Sequence, residues 1–325
     1  MSENNFAVSV TNLEKKFGDF TAVNRVNFEV KQGEIFGFLG PNGAGKSTTI
    51  RMLCGIYSPT SGAGQVGGYD IIKQQHMIKQ HIGYMSQKFS LYDDLTVEEN
   101  IDFYSRIYNI PKKERASRKE ETISTASIKE FRKCLTSTLS GGVKQRLALG
   151  CAIIHKPNII FLDEPTSGVD PITRSNFWKI IKDMAREGKT IFVTTHYMDE
   201  AENCNRMVLI YRGTMIAMGT PVEMKTKFMK NDILEIIIPH AELWTEKISG
   251  LDSVKETALF GANIHAVTLD ATKADLAIRK LLDADCQKDY TLRKIMPSLE
   301  DVFVSLIENY DTDQQAGKKA SKASV

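Results

Sequence analysis

Gly40-Pro41-Asn42-Gly43-Ala44-Gly45-Lys46-Ser47-Thr48 is the stretch that decides the fold of this chain. Gly40, Gly43 and Gly45 allow a tight backbone turn that presents N–H groups to phosphate oxygens. Before it, Glu34-Ile-Phe-Gly-Phe-Leu39 is apolar enough for a strand buried on both faces. After it, Ser47-Thr-Thr-Ile-Arg-Met-Leu-Cys54 has helical spacing, with Thr49, Met52 and Leu53 on nearby faces. Strand, glycine-rich turn and helix is the context in which GxxxxGK[ST] binds a nucleoside triphosphate. The helix start adds its dipole to the N–H groups of the turn. Lys46 places a positive charge near the β and γ phosphates, and the Ser47 hydroxyl offers a ligand to magnesium. Pro41, Asn42, Ala44 and Thr48 complete the loop. A chance glycine-rich turn would lack these flanking elements.

A second piece of the same chemistry lies at Ile159-Ile-Phe-Leu-Asp-Glu164. The apolar residues predict a buried strand with two carboxylates at its C-terminal end, where open α/β sheets bind ligands. Asp163 is expected to hold magnesium through water, and Glu164 to orient and deprotonate an attacking water. Alone, an Asp-Glu pair after a strand reads as a solvated turn; the phosphate loop upstream favours the catalytic reading. Thr190-Ile-Phe-Val-Thr-Thr195 predicts another buried strand, and Arg206–Gly213 with Thr214–Gly219 a hairpin. Near the N-terminus, Ala7–Val10 begins a run of short alternating strands that Asn24–Val30 continues, with Lys31-Gln-Gly33 as a turn. Residues 88–150 read as helix-rich, and the charged run Pro111–Glu121 as a solvated helix face.

The chain of 325 residues suffices for one large domain and a small one. A formal net charge of +2 implies no general attraction to nucleic acid or anionic lipid. The N-terminus lacks the basic and apolar regions of a secretory signal, and no apolar run reaches the roughly 18 residues a membrane helix needs. Cys54, Cys134, Cys151, Cys204 and Cys286 are scattered without CxxC, which reads as reduced cytosolic thiols.

After about residue 230 the pattern changes to strand (233–238), helix (240–249), two strands (253–259, 263–269), helix (272–284) and strand (290–295). That order is ferredoxin-like. A last helix starts at Pro297-Ser-Leu-Glu300, where Ser298 and Asp301 form a capping-box variant. The tail holds too little apolar surface to fold. The expected domains are a nucleotide-binding domain over 1–228, an accessory α+β domain over 229–312 and an unfolded tail over 313–325.

Leu139-Ser-Gly-Gly-Val-Lys-Gln-Arg146 narrows the class, because it resembles the signature of ATP-binding cassette (ABC) ATPases. Gln87 in Tyr84-Met-Ser-Gln87, Ser167-Gly-Val-Asp170 and Thr194-Thr-His196 resemble further motifs of that family, in family order, over about residues 7–225. The resemblance implies a mixed sheet with an antiparallel β subdomain and a helical subdomain at about 88–150. It implies that Ser140, Gly141 and Gly142 face the γ-phosphate of an ATP held by a second copy, since a helix start binds anions. Asp170 would lie in the loop crossing that dimer interface. Gln87 would touch the magnesium and water region, and His196 would contact the γ-phosphate. The other histidines read as plain turn residues. Phe17 stands where the family stacks an aromatic ring on adenine, with burial as a core staple the competing reading. Val143 departs from the family's glutamine and puts any side-chain contact there in doubt.

The single-cassette length, Phe89–Asn100, Thr194–Glu202 and the ending Pro297–Phe303 resemble bacterial multidrug- or polysaccharide-type exporters with separate permease chains. The expected activity is hydrolysis of ATP with magnesium. The implied partners are a second ATPase subunit and integral-membrane permease subunits, with no nucleic acid and no direct membrane insertion. The expected location is the cytoplasmic face of the inner membrane. Two other readings stand beside it: a soluble cassette ATPase acting on ribosomes or DNA, and a non-hydrolysing nucleotide sensor or scaffold.

Overall fold

Two strands of 12 residues each, β1 (Phe6–Phe17) and β2 (Phe20–Lys31), open the fold where short strands are expected. Their ladder shifts register between Val10 and Leu13 and again between Leu13 and Lys15, and Asn12 and Arg25 take φ values of 49° and 45°. Each shift swaps which residues face inward, so one long strand reads in sequence as several short ones. This computed structural model describes residues 6–229, 231–285 and 287–323, with backbone alone from 313 onward. Its contacts divide the chain into Met1–Pro221 and Val222–Val325.

In the first unit β3 (Ile35–Leu39), α1 (Lys46–Leu53), β4 (Ser61–Val66), β5 (Tyr69–Asp70), α2 (Gln75–His81) and β6 (Ile82–Met85) follow. Three helices come next: α3 (Val97–Ile107), α4 (Lys112–Thr125) and α5 (Gly141–Ile153). The unit continues with β7 (Ile159–Asp163), α6 (Pro171–Arg186), β8 (Thr190–Thr195), α7 (Met198–Ala201), β9 (Arg206–Tyr211) and β10 (Thr214–Gly219). Helix α8 (Pro221–Lys227) starts at the junction of the units.

An antiparallel sheet β2-β1-β4-β5 and a mixed sheet β10-β9-β3-β8-β7-β6 result. Between them, Leu13, Phe28, Phe36, Phe38 and Phe192 form one core. Phe192 meets the rings of Phe36, Phe38 and Phe161 at centroid separations of 5.6, 5.5 and 5.4 Å, where tilted rings attract. The other face of the mixed sheet packs Ile160, Leu162, Ile191 and Val193 with Phe177 and Ile181 of α6. Burial on both faces is why β3, the Ile159–Leu162 stretch of β7 and the Ile191–Val193 stretch of β8 are apolar runs. Helices α3 and α5 pack around Val97, Ile101 and Leu147, whereas α4 buries only Thr122 and Ile123. The charged run on α4 is therefore a solvated face.

The second unit holds β11 (Asp232–Ile237), α9 (Ala241–Ser249), β12 (Glu256–Phe260), β13 (Asn263–Thr268), α10 (Ala271–Ala284), β14 (Thr291–Ile295) and α11 (Leu299–Ala323). Its strands order as β12-β13-β11-β14, all antiparallel, which is the ferredoxin-like arrangement. Leu234, Ile236, Ile264 and Ala266 of the sheet pack with Ala274, Ile278 and Leu282 of α10. Ser298 Oγ accepts from Asp301 N at 3.1 Å while Asp301 Oδ2 accepts from Ser298 N at 2.7 Å, so the capping-box variant forms. His265 is a correction to the turn reading: it lies buried in β13, with Nδ1 2.9 Å from Asp301 Oδ1. The expected unfolded tail at 313–325 falls on residues whose side chains lie outside the described set, while the α11 backbone is assigned as far as Ala323. Cys286 also lies outside that set.

Glu256 of β12 couples this unit to pH. Burial pushes its carboxyl up to about 7, and the Glu308 carboxyl on α11 adds to the rise. Between its ordinary value of 4.5 and about 7 the folded chain keeps a proton that the unfolded chain has released. Stability therefore falls as pH rises through that window. Glu256→Gln is expected to raise the thermal midpoint of this unit near neutral pH and to flatten its slope across the window. Scanning calorimetry showing an unchanged slope would assign the pH dependence elsewhere.

Candidate nucleotide site

Parallel pairing aligns the C-terminal ends of three strands: Leu39 pairs with Thr195, and Asp163 with Thr194. The phosphate loop leaves β3, Glu164 follows β7 and His196 follows β8, so residues far apart in sequence share one sheet edge. A Cβ at Gly40 would lie 2.2 Å from the Ile210 carbonyl oxygen. One at Gly45 would lie 2.4 Å from the Ala22 carbonyl oxygen, where φ is also +107°. The loop thus needs glycine for close approach as well as for conformation.

Lys46 is buried, and its ammonium donates to the carbonyls of Gly40 at 2.8 Å and Pro41 at 3.0 Å. It also lies 3.1 Å from Glu164 Oε1. Gln87 Nε2 donates to Glu164 Oε2 at 3.1 Å. His196 Nδ1 is 3.3 Å from that oxygen, close but without hydrogen-bond geometry. Three of the sequence-predicted residues therefore converge on a fourth.

Beside them, Ser47 Oγ donates to Asp163 Oδ1 at 2.9 Å, and Thr194 Oγ1 donates to the same oxygen at 2.8 Å. Asp163 Oδ2 is buried with no hydrogen-bond partner. Burial pushes the Asp163 carboxyl above its usual range, against the hydrogen bonds from Thr194 and Ser47. An orphaned carboxylate oxygen next to a serine hydroxyl fits a magnesium ion, which would supply the missing partner and favour the ionised form.

A cleft of about 410 Å³ runs from Phe17 and Phe20 past the phosphate loop to Gln87 and Glu164. Phe17 is 46% exposed, which removes the buried-staple reading and leaves a ring face on the cleft. The Tyr57 ring meets it edge-on at 5.9 Å, and Lys15 Nζ lies 5.1 Å from its centroid. Phe20, paired with Phe17 across the β1–β2 turn, was not anticipated. A hollow of about 520 Å³ near Gly67 and Asn158 is larger but lined by no titratable side chain, so volume alone does not mark the site.

Ser140 is the N-cap of α5 and makes no side-chain capping bond. A Cβ at Gly141 would meet open space, whereas one at Gly142 would lie 2.4 Å from Thr173 Cγ2. Asp170 caps α6, accepting from Ile172 N and Thr173 N at 3.0 Å each. The Asp-Pro pair that starts α6 is a local signal that could have shown this cap. Val143 is buried among Val97, Ile101 and Leu147. The buried polar role in this helix falls to Gln145, whose amide donates to the Pro165 carbonyl. Among the described residues no hydrogen bond joins Ser140, Gly141 or Gly142 to the phosphate loop.

A phosphate loop seated on the parallel strands of a mixed sheet, with an acidic strand end beside it, places the chain among the P-loop nucleoside triphosphatases. The sequence profile described as ABC transporter matches residues 23–167. The chain is 34% identical over 300 residues to the linearmycin resistance ATP-binding protein LnrL of Bacillus subtilis (strain 168), covering 91% of this chain and 96% of that one. It is 52% identical over 223 residues to the probable multidrug ABC transporter ATP-binding protein YbhF of Escherichia coli (strain K12). That match covers 68% of this chain but 38% of the relative, so the chain spans well under half of it. Among solved structures it is similar to cbiO1 from Clostridium perfringens, part of the ABC transporter complex cbiONQ, with a TM-score of 0.63 and 28% identity over 68% of this chain and 90% of that one. The dimeric cassette MJ0796, in a post-hydrolysis state bound to ADP and Pi, gives a TM-score of 0.60 and 28% identity over 66% of this chain and 98% of that one. The chain belongs to the family of ABC transporter ATP-binding proteins.

Proposed function

We propose that this chain hydrolyses ATP as one of two cassettes that drive export through separate membrane permease chains. The observation that carries the reading is the convergence of Lys46, Gln87 and His196 on Glu164, beside the Ser47–Asp163 pair. The loop N–H groups and the start of α1 bind the triphosphate, and Phe17 stacks on the base. Lys46, now shared between loop carbonyls and Glu164, turns to the phosphates; Glu164 is then free to orient water and accept its proton. His196 and Gln87 border the same space and hold the γ-phosphate and the water in line. Ser47 and Asp163, with Gln87 at the edge, would hold magnesium, whose positive charge would offset the charge that develops on the phosphate oxygens.

The exposed start of α5 supports a composite site. Its free N–H groups can take phosphate from the ATP of a second copy, and Asp170 lies on the α6 start that touches Gly142. ATP then closes the pair and hydrolysis reopens it. No helix among the described residues is long and apolar enough to cross a membrane, so transport in this reading needs permease partners. Such partners would place the chain on the cytoplasmic face of the membrane. The names of the relatives cited above, multidrug and linearmycin resistance, support export.

Two experiments test the reading. Isolating the chain from native membranes in mild detergent is expected to bring down a polytopic protein; a chain recovered without one would defeat the export reading. Ser140→Arg is expected to keep ATP binding in the monomer while abolishing turnover that depends on protein concentration. Loss of binding in the monomer would show that Ser140 does not act across a dimer.

A further inference from the structure

Thr194 entered the sequence reading as part of a predicted strand and of the motif ending in His196, and its hydroxyl touches the Asp163 carboxylate and the Glu164 backbone amide. It lies on β8 directly opposite Asp163 and has no solvent exposure. Its Oγ1 is 2.8 Å from Asp163 Oδ1 and 2.9 Å from the Glu164 amide nitrogen. An amide can only donate, so the hydroxyl lone pair faces Glu164 and its hydrogen points to Asp163.

Two consequences follow for the neighbouring groups. Asp163 Oδ1 receives both Thr194 and Ser47, which leaves Oδ2 as the oxygen without a partner. Glu164 has a φ of +48°, a left-handed conformation uncommon for a residue with a Cβ. Its amide is held there by two acceptors of one residue, the Thr194 hydroxyl and the Thr194 carbonyl at 3.1 Å. Thr194 thus shares with Ser47 in occupying Oδ1 of Asp163, and anchors the backbone from which the Glu164 side chain leaves.

We propose that Thr194 is a positioning residue that aims Asp163 at the metal and Glu164 at the attacking water. The proposal rests on the ATPase reading above. A valine has the same shape without the hydroxyl. It leaves Asp163 Oδ1 with one donor and the Glu164 amide with one acceptor. Serine keeps both bonds.

The test compares Thr194→Val and Thr194→Ser in the full chain. A fluorescent ATP analogue is titrated in EDTA, then at fixed nucleotide with rising magnesium, beside turnover and the thermal midpoint. Thr194→Val is expected to bind nucleotide in EDTA as the wild type does. It should need roughly tenfold more magnesium or beyond, with a comparable loss of turnover, as when a group that orients a metal ligand is removed. Thr194→Ser should restore both. A wild-type magnesium requirement in Thr194→Val, or an equal defect in Thr194→Ser, overturns the proposal. If Thr194→Val does not fold, Thr194→Ala against Thr194→Ser decides on the same criteria. A wild-type chain that neither binds nor hydrolyses MgATP would instead sink the ATPase reading.

Discussion

Glu164→Gln is expected to bind ATP with near wild-type affinity, to lose roughly 10²- to 10⁴-fold in turnover, and to accumulate as an ATP-dependent dimer. The amide keeps the shape of the carboxylate and an oxygen that can still accept from Gln87, now 3.1 Å from Glu164 Oε2. It cannot take a proton from water. It also removes the negative charge 3.1 Å from Lys46. Deleting one partner of a buried pair commonly destabilises a protein by about 3–5 kcal/mol. Here Lys46 keeps its bonds to the Gly40 and Pro41 carbonyls, so the loss should be smaller. Freed from Glu164, Lys46 is more available to phosphate, which is why binding survives. Size-exclusion chromatography with ATP and a steady-state phosphate assay read the two arms. Turnover at the wild-type rate would show that Glu164 is not the general base.

Lys46→Ala should fail in the opposite way, losing ATP affinity and turnover together. A hydrogen bond to a charged group is worth about 1.5–3 kcal/mol, so binding should weaken roughly 10- to 100-fold. The substitution also strands Glu164, 7% exposed, without the cation that now neutralises it. Each variant leaves one buried charge without its ionic partner, but Lys46 keeps two carbonyl acceptors whereas Glu164 keeps the Gln87 amide donor. The free Lys46→Ala protein should therefore melt lower than Glu164→Gln does. Comparing both variants by nucleotide titration separates binding from chemistry. Wild-type affinity in Lys46→Ala would mean that the Gly40–Thr48 loop does not hold the triphosphate.

Much of the phosphate site was legible because its parts are local. Gly40 to Thr48 are contiguous, and the apolar runs of β3 and β7 announce buried strands in a few residues. The ferredoxin-like order of the second unit was legible for a similar reason, since its strands and helices alternate with clear periods. Other features were hidden because they depend on register. The length of β1 and β2 was obscured by shifts at Asn12 and its neighbours that break the two-residue alternation. His265 resembled any turn histidine until β13 placed it against Asp301 on α11. Val143 looked like a defect in the signature, and the fold makes it part of the core around α3 and α5.

By itself the sequence determined that a triphosphate loop lies between a strand and a helix, that a carboxylate pair ends a second strand, and that a glycine-rich helix start follows the cassette pattern. Those are properties of short segments, set by glycine conformation, apolar runs and charge. Only the tertiary structure decided that Lys46, Gln87 and His196 meet at Glu164, that Phe17 faces the cleft, and that Thr194 bonds both the Asp163 carboxylate and the Glu164 amide. Those contacts join strands far apart in the chain. They arise because parallel pairing brings the ends of β3, β7 and β8 to one edge, a matter of long-range register that no local pattern encodes.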